Sequence, residues 1–165
     1  MLDLLLQAEK QGSIDAQGIK EEVDTFMFGG HDTSATALQY ILMVFANHPD
    51  VQMRVLKEYD EVSESLESFA GSFSLNDLSK LKYLDCCVKE CLRLYPSVPF
   101  IIRSIEHTVK LSHKYAMIQM KLAILDILKT YKLLPVTKPE DVKFTSDLML
   151  RSTEHVYVKF ELRNK

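Results

Sequence analysis

Near the first fifth of the chain an acid and a hydroxyl stand side by side, Asp32-Thr33, directly after Gly29-Gly30 and His31. A carboxylate next to a hydroxyl is a short proton relay, the equipment of general acid–base chemistry. The pair lies inside the longest helical pattern of the sequence, where each glycine costs about 1 kcal/mol relative to alanine. Glycine removes a side chain and lets another body approach the backbone. Thr33 can bond back to a carbonyl one turn earlier, which bends a helix and frees backbone groups. The same residues also read as a plain helix end at Gly29-Gly30, with Asp32 or Thr33 capping the next helix. Further along, Glu90 and Arg93 put opposite charges three residues apart on one helical face, a pairing common on surfaces. Cys86, Cys87 and Cys91 lie within six positions of one another. An odd count without a C-x-x-C pair suits neither a disulfide framework nor a zinc site. The three read as buried thiols of a protein from a reducing compartment.

The elements that must position these residues are mostly helical. Residues 1–10 form a short helix. From about Asp15 to Asn47 apolar residues recur at helical spacing until His48-Pro49. Pro49 suits the first residue of a new helix through about Glu64, with Val51, Val55 and Tyr59 on one face. Gly71 and Ser72 mark a loop, and Ser74 and Asn76 are helix-starting types. Leu81, Leu84, Val88, Cys91 and Tyr95 predict an amphipathic helix over 79–95, ended by Pro96. Pro96 and Pro99 enforce an extended stretch, followed by a strand-like run from Phe100 to Leu111. Another helix is expected from about Ser112 to Tyr131. In the tail, Val156, Val158, Phe160 and Leu162 alternate with polar neighbours, which predicts a half-buried strand. Its expected antiparallel partner is Lys143 to Met149, with Arg151 to Glu154 as the turn. The expected fold class is mainly α with a small C-terminal antiparallel β-sheet.

The run Glu21-Glu22-Val23-Asp24-Thr25-Phe26-Met27-Phe28-Gly29-Gly30-His31-Asp32-Thr33-Ser34 resembles the long distal helix of the cytochrome P450 family, most closely its fourth family. By this resemblance Asp32 and Thr33 are the oxygen-activating pair that delivers protons so that the O–O bond cleaves, and Gly29 and Gly30 lie against the haem. Many fourth-family members carry at position 29 a Glu that can form an ester to the haem. With Gly29 there, covalent attachment is not expected. Lys89-Glu90-Cys91-Leu92-Arg93-Leu94-Tyr95-Pro96-Ser97-Val98-Pro99 resembles the family's E-x-x-R helix and its Pro-rich exit. In the family Glu90 and Arg93 would be structural, locking the core behind the haem through a second Arg. Arg103 matches an Arg that in many members pairs with a haem propionate. It also reads as a solvated strand residue.

Lys114-Tyr115-Ala116-Met117-Ile118-Gln119-Met120-Lys121 resembles the helix after the family's cysteine loop. That register places the iron-ligating thiolate five residues before Tyr115, where the chain has Lys110. The glycine-rich approach to that cysteine is absent, and no metal ligand is assigned. Cys86, Cys87 and Cys91 sit on the E-x-x-R helix, where packing explains them, and His107 or His113 would need a rearranged loop to reach iron. The resemblance therefore covers one partial P450 domain in two pieces, 1–111 and 112–165, joined near Leu111-Ser112. The family's N-terminal half, with its membrane anchor, is expected to be missing.

Composition bounds the alternatives. The 165 residues are 47% hydrophobic and 26% charged, the balance of a globular protein with a core. A net charge of −3 with scattered basic residues argues against nucleic-acid binding. No run reaches the roughly 18 apolar residues of a transmembrane segment. The resemblance implies haem as cofactor, an NADPH-dependent reductase as partner, and oxygen insertion into a lipophilic substrate such as a fatty acid. It also implies the endoplasmic reticulum membrane, or a cytoplasmic or peripheral location if the anchor is lost. Against this stands a non-catalytic truncated isoform or gene-model fragment, binding other proteins through exposed core if it acts at all. A dedicated four-helix signalling protein would leave Gly29-Gly30-His31-Asp32-Thr33 unexplained.

Overall fold

The computed structural model describes residues 2–64, 75–100, 114–146 and 149–163. The chain separates into two units, residues 1–35 and 36–165.

The first unit holds helix α1 (Leu2–Lys10) and helix α2 (Ala16–Met27). Gly12 closes α1 with a φ of +72°, a left-handed conformation that glycine adopts without strain. Asp15 then caps α2, its carboxylate accepting from the Gly18 amide at 2.7 Å. A π-helical turn over Phe28–Asp32 follows, and α3 (Thr33–Asn47) begins without a break.

The second unit carries the core. It comprises the rest of α3, then α4 (Pro49–Glu64), α5 (Leu75–Lys80), α6 (Lys82–Leu94) and α7 (Lys114–Thr130). Two ribbons complete it, β1 (Tyr131–Pro135) with β4 (Val158–Leu162) and β2 (Phe144–Ser146) with β3 (Leu150–Ser152), both antiparallel. Ile41, Phe45, Val55, Leu81, Leu84, Val88, Ile124 and Leu128 form the centre of a single apolar cluster. The mainly α class with a small antiparallel C-terminal sheet is thus observed, the sheet being two ribbons. No helix among the described residues is long and apolar enough to cross a membrane.

Polar side chains, buried and half-buried, join these elements. Gln52, only 1% exposed, lies on α4. Its amide nitrogen donates to the carbonyls of Phe45 at 2.8 Å and Leu133 at 2.9 Å, and its oxygen accepts from the Leu133 amide at 3.0 Å. One side chain therefore binds α3, α4 and β1. Glu58, also on α4, accepts from the amides of Tyr83 at 2.6 Å and Leu84 at 2.9 Å, so it caps α6 from another helix. Arg163 closes α7 by donating to the Leu128 carbonyl at 2.8 Å. Asp85 on α6 holds two lysines, Lys121 of α7 and Lys89, each at 2.6 Å.

Four expectations are corrected. The single helix over 79–95 is two helices, because Leu81, with φ −74° and ψ 80°, leaves the helical region between α5 and α6. Its side chain is buried in the core, and the Glu58 cap starts α6 afresh. The tail strand pairs with β1 rather than with residues 143–149, since the chain turns straight out of α7 into β1. Residues 144–146 pair instead with 150–152, so Arg151 and Ser152 are strand rather than turn. Nor is the tail strand half-buried: Phe160 is 45% and Leu162 67% exposed. The strand expected over 100–111, apart from Phe100, lies outside the described residues, as do the loop residues Gly71 and Ser72 and the helix-starting Ser74.

Replacing Gln52 by Leu would leave both backbone groups of Leu133 without their Gln52 partner, and the Phe45 carbonyl with the His48 amide alone. We expect Gln52→Leu to lose about 2–4 kcal/mol in urea denaturation; a change within about 0.5 kcal/mol contradicts the fastening role. Burial pushes the Asp85 carboxyl up, but hydrogen bonds and charge from Lys121 and Lys89 outweigh it and hold it below the usual carboxylate range. A lowered folded value means stability that is full above about pH 4 and drains as pH falls further. Asp85→Asn should therefore show a flatter stability profile than the parent between about pH 5 and pH 2; identical slopes would contradict the assignment.

Candidate functional site

The helical segment from Ala16 onward carries good formers and a sound N-cap, then meets Phe28-Gly29-Gly30-His31-Asp32, where the ladder widens into one π turn. Met27, Phe28 and Thr33 all keep right-handed helical angles. The chain therefore does not stop at Gly29-Gly30, and the helix-end reading is excluded. The Phe28 amide is shared between the carbonyls of Asp24 and Thr25. The Thr33 hydroxyl donates to the Gly29 carbonyl at 2.7 Å, the back-bond one turn earlier that the sequence suggested. Single π turns inside α-helices occur frequently at functional sites.

Gly29 and Gly30 are exposed, and a Cβ added to either would meet no atom within 4 Å. Neighbouring atoms therefore do not require the two glycines; what they leave is open backbone on the turn. Asp32 is partly exposed, and its carboxylate lies 3.2 Å from Nδ1 of His31. Acid, imidazole and hydroxyl thus occupy three consecutive positions, Asp32 engaged by His31 and Thr33 by the helix backbone. The His31–Asp32 contact was missed in sequence, although adjacency was its signal.

Glu90 and Arg93 form the expected pair on α6 as a two-pronged bridge, Nε to Oε2 and Nη2 to Oε1, each 2.7 Å. The Arg93 hydrogen bonds lower the Glu90 carboxyl below its usual range. Both side chains are well exposed, at 56% and 67%. Arg103 and Lys110 lie outside the described residues, as do His107 and His113.

The thiols are not uniformly buried, a correction to the sequence reading. Cys86 is exposed, Cys87 half-buried and Cys91 buried, because Leu84, Val88 and Cys91 share the core face of α6 while Cys86 falls on the other side. Burial first, then the neighbouring Cys87 and Glu90, push the Cys91 thiol up to about 12. Burial likewise raises Cys87. A cysteine binds iron as the thiolate, and burial works against that form at Cys87 and Cys91. The open-backed glycine turn fits the oxygen side of a haem pocket. The proximal side does not fit: every cysteine of the chain lies on α6, and burial favours the neutral thiol at two of them.

The cytochrome P450 family model matches residues 1–117. The chain is 33% identical to "Probable cytochrome P450 4ac1" of Drosophila melanogaster, over all of this chain and 43% of that protein. It is 48% identical to rat "Cytochrome P450 4V2" over 63% of this chain and 20% of that one. The chain thus spans less than half the length of these relatives. The fruit-fly alignment runs over 225 positions, of which this chain supplies 165, so 60 of its positions have no residue here. Among solved structures, a cytochrome P450 (CYP102L1) matches with TM-score 0.66 at 18% identity, over 89% of this chain and 47% of that one. Retinoic acid-bound cyanobacterial CYP120A1 matches with TM-score 0.69 at 15% identity, over 91% and 47%. By sequence and by fold, this chain belongs to the cytochrome P450 family.

Proposed function

We propose that the residues of this chain belong to a haem-thiolate monooxygenase acting on a lipophilic substrate of the fatty-acid kind, and that the chain as written does not perform that reaction. The reading rests above all on the contrast between the two sides of the expected haem site. On the oxygen side, Gly29 and Gly30 leave the backbone open and Asp32 and Thr33 stand ready to hold and pass protons. On the iron side, the thiolate position falls on Lys110 and the remaining cysteines lie on α6. The 60 alignment positions without a counterpart support a loss of residues within the chain; the family register puts that loss near Leu111-Ser112, dividing one partial domain into 1–111 and 112–165. In a complete relative, haem would supply the oxidising chemistry, an NADPH-dependent reductase the electrons, and the endoplasmic reticulum membrane the location. Arg103 would face a haem propionate, and Glu90 with Arg93 would brace the core.

The alternative, a protein-binding remnant, is favoured by the exposed run Phe26-Met27-Phe28. Both readings share the same silent iron side.

The purified chain supplied with haemin, reduced and exposed to carbon monoxide, should show no strongly red-shifted thiolate Soret band. Such a band, lost on substituting Cys86, Cys87 or Cys91, would overturn the inactive reading. If the glycines serve an approaching body rather than the fold, G29A/G30A should raise helix stability by about 1–2 kcal/mol in thermal unfolding followed by circular dichroism. A loss of stability would mean that the turn needs glycine for its own geometry.

A further inference from the structure

In a regular α-helix, adjacent side chains point well apart around the axis and do not face one another. His31 and Asp32 are adjacent, yet Nδ1 of His31 lies 3.2 Å from Oδ1 of Asp32. Both belong to the π turn over Phe28–Asp32. Such a turn closes its hydrogen bonds i→i+5 rather than i→i+4. It therefore holds more residues per turn, and successive side chains stand closer around the axis. The widened ladder is what lets an acid and an imidazole at adjacent positions meet. Neither has a rival nearby in sequence, since from Thr25 to Asn47 the chain has no other Asp, Glu, Lys, Arg or His.

The contact fixes two things. An ionised carboxylate only accepts hydrogen bonds, so Nδ1 of His31 carries the hydrogen and Nε2 is the acceptor of the neutral ring. Imidazole side chains free in water favour the opposite tautomer, with the hydrogen on Nε2. In addition, Oδ1 of Asp32 is committed to the ring, which assigns any proton the acid passes on to Oδ2. Thr33 is held in the same manner, its hydroxyl donating to the Gly29 carbonyl at 2.7 Å. Acid and hydroxyl thus each have a direction set by a bond made within one turn. A group that must hand on a proton along one line gains from being kept in one orientation.

We propose that His31 is the positioning residue of the acid: its Nδ1–H holds Oδ1 and keeps Asp32 in one rotamer. The use of that orientation for passing protons rests on the oxygen-side reading of Asp32 given above; the hydrogen bond itself does not.

Nuclear magnetic resonance on the full chain tests it without haem. A negative result therefore counts against His31 alone and leaves the role of Asp32 standing. Long-range proton–nitrogen spectra at about pH 9, where imidazoles are neutral, give the ratio of Nδ1–H to Nε2–H for each of the five histidines. H31Q identifies the His31 signal. In the folded parent that ratio should be at least about twofold higher than in D32A, the bias that a solvent-facing contact supports. The parent unfolded in urea is a second reference and should match D32A, so the comparison does not depend on how any variant folds. Three-bond couplings to Cγ of Asp32 should report one dominant rotamer in the parent and an average in H31A. A His31 ratio in the folded parent equal to that of the unfolded chain, or Asp32 couplings that H31A leaves unchanged, would overturn the proposal.

Discussion

The fold depends on one buried amide. Gln52 stands where the end of α3, the start of α4 and the first strand meet, and it supplies hydrogen bonds to backbone groups that water cannot reach. A buried polar side chain stabilises only when its partners are all in place, and here both its donor and its acceptor are used. This placement has consequences further along the chain. By occupying the outer edge of β1 it decides on which side β4 must add, and therefore which backbone groups of β4 face outward. Asn47 reinforces the same corner, its amide donating to the Met43 carbonyl at 2.9 Å and the Thr137 carbonyl at 3.0 Å. Tyr40 stacks on Tyr95 with ring centres 5.3 Å apart, and its hydroxyl donates to the Leu150 carbonyl, tying the second ribbon to α3.

Much of this was legible in the sequence, and the failures share a cause. Short-range signals worked: Asp15 at the start of α2, Pro49 opening α4, Pro96 after α6. Where the deciding partner is distant in sequence, local reading went wrong. Leu81 fits a continuous helical stripe, and only Glu58, on α4, shows that α6 begins afresh. Alternation in 156–163 assigned side chains to faces but could not name the strand opposite. The thiols were half legible, since the spacing of Leu84, Val88 and Cys91 already placed Cys91 inward, and the same spacing should have placed Cys86 outward.

The site divides the same way. Two glycines beside an acid and a hydroxyl stood out because helices rarely tolerate them without reason. The π turn itself was not legible, because a slipped hydrogen-bond ladder leaves no residue type as its mark. The turn combines an open backbone with a held hydroxyl, as a helix that passes close to a bound group requires. In the reading favoured above, that arrangement is inherited from a complete monooxygenase, and the two sides of the chemistry have parted. On that reading the oxygen-side residues are kept, while every cysteine lies on α6, a helix that otherwise serves the core.

The central claim is that no cysteine of this chain serves as a thiolate to iron. Electron paramagnetic resonance of the ferric, haemin-supplied chain at low temperature tests it directly. The expected spectrum is that of loosely held or nitrogen-ligated haem, without the narrowly spread low-spin signal of axial thiolate. That thiolate signal, appearing in the parent and vanishing when Cys86, Cys87 and Cys91 are replaced by serine, would contradict the account.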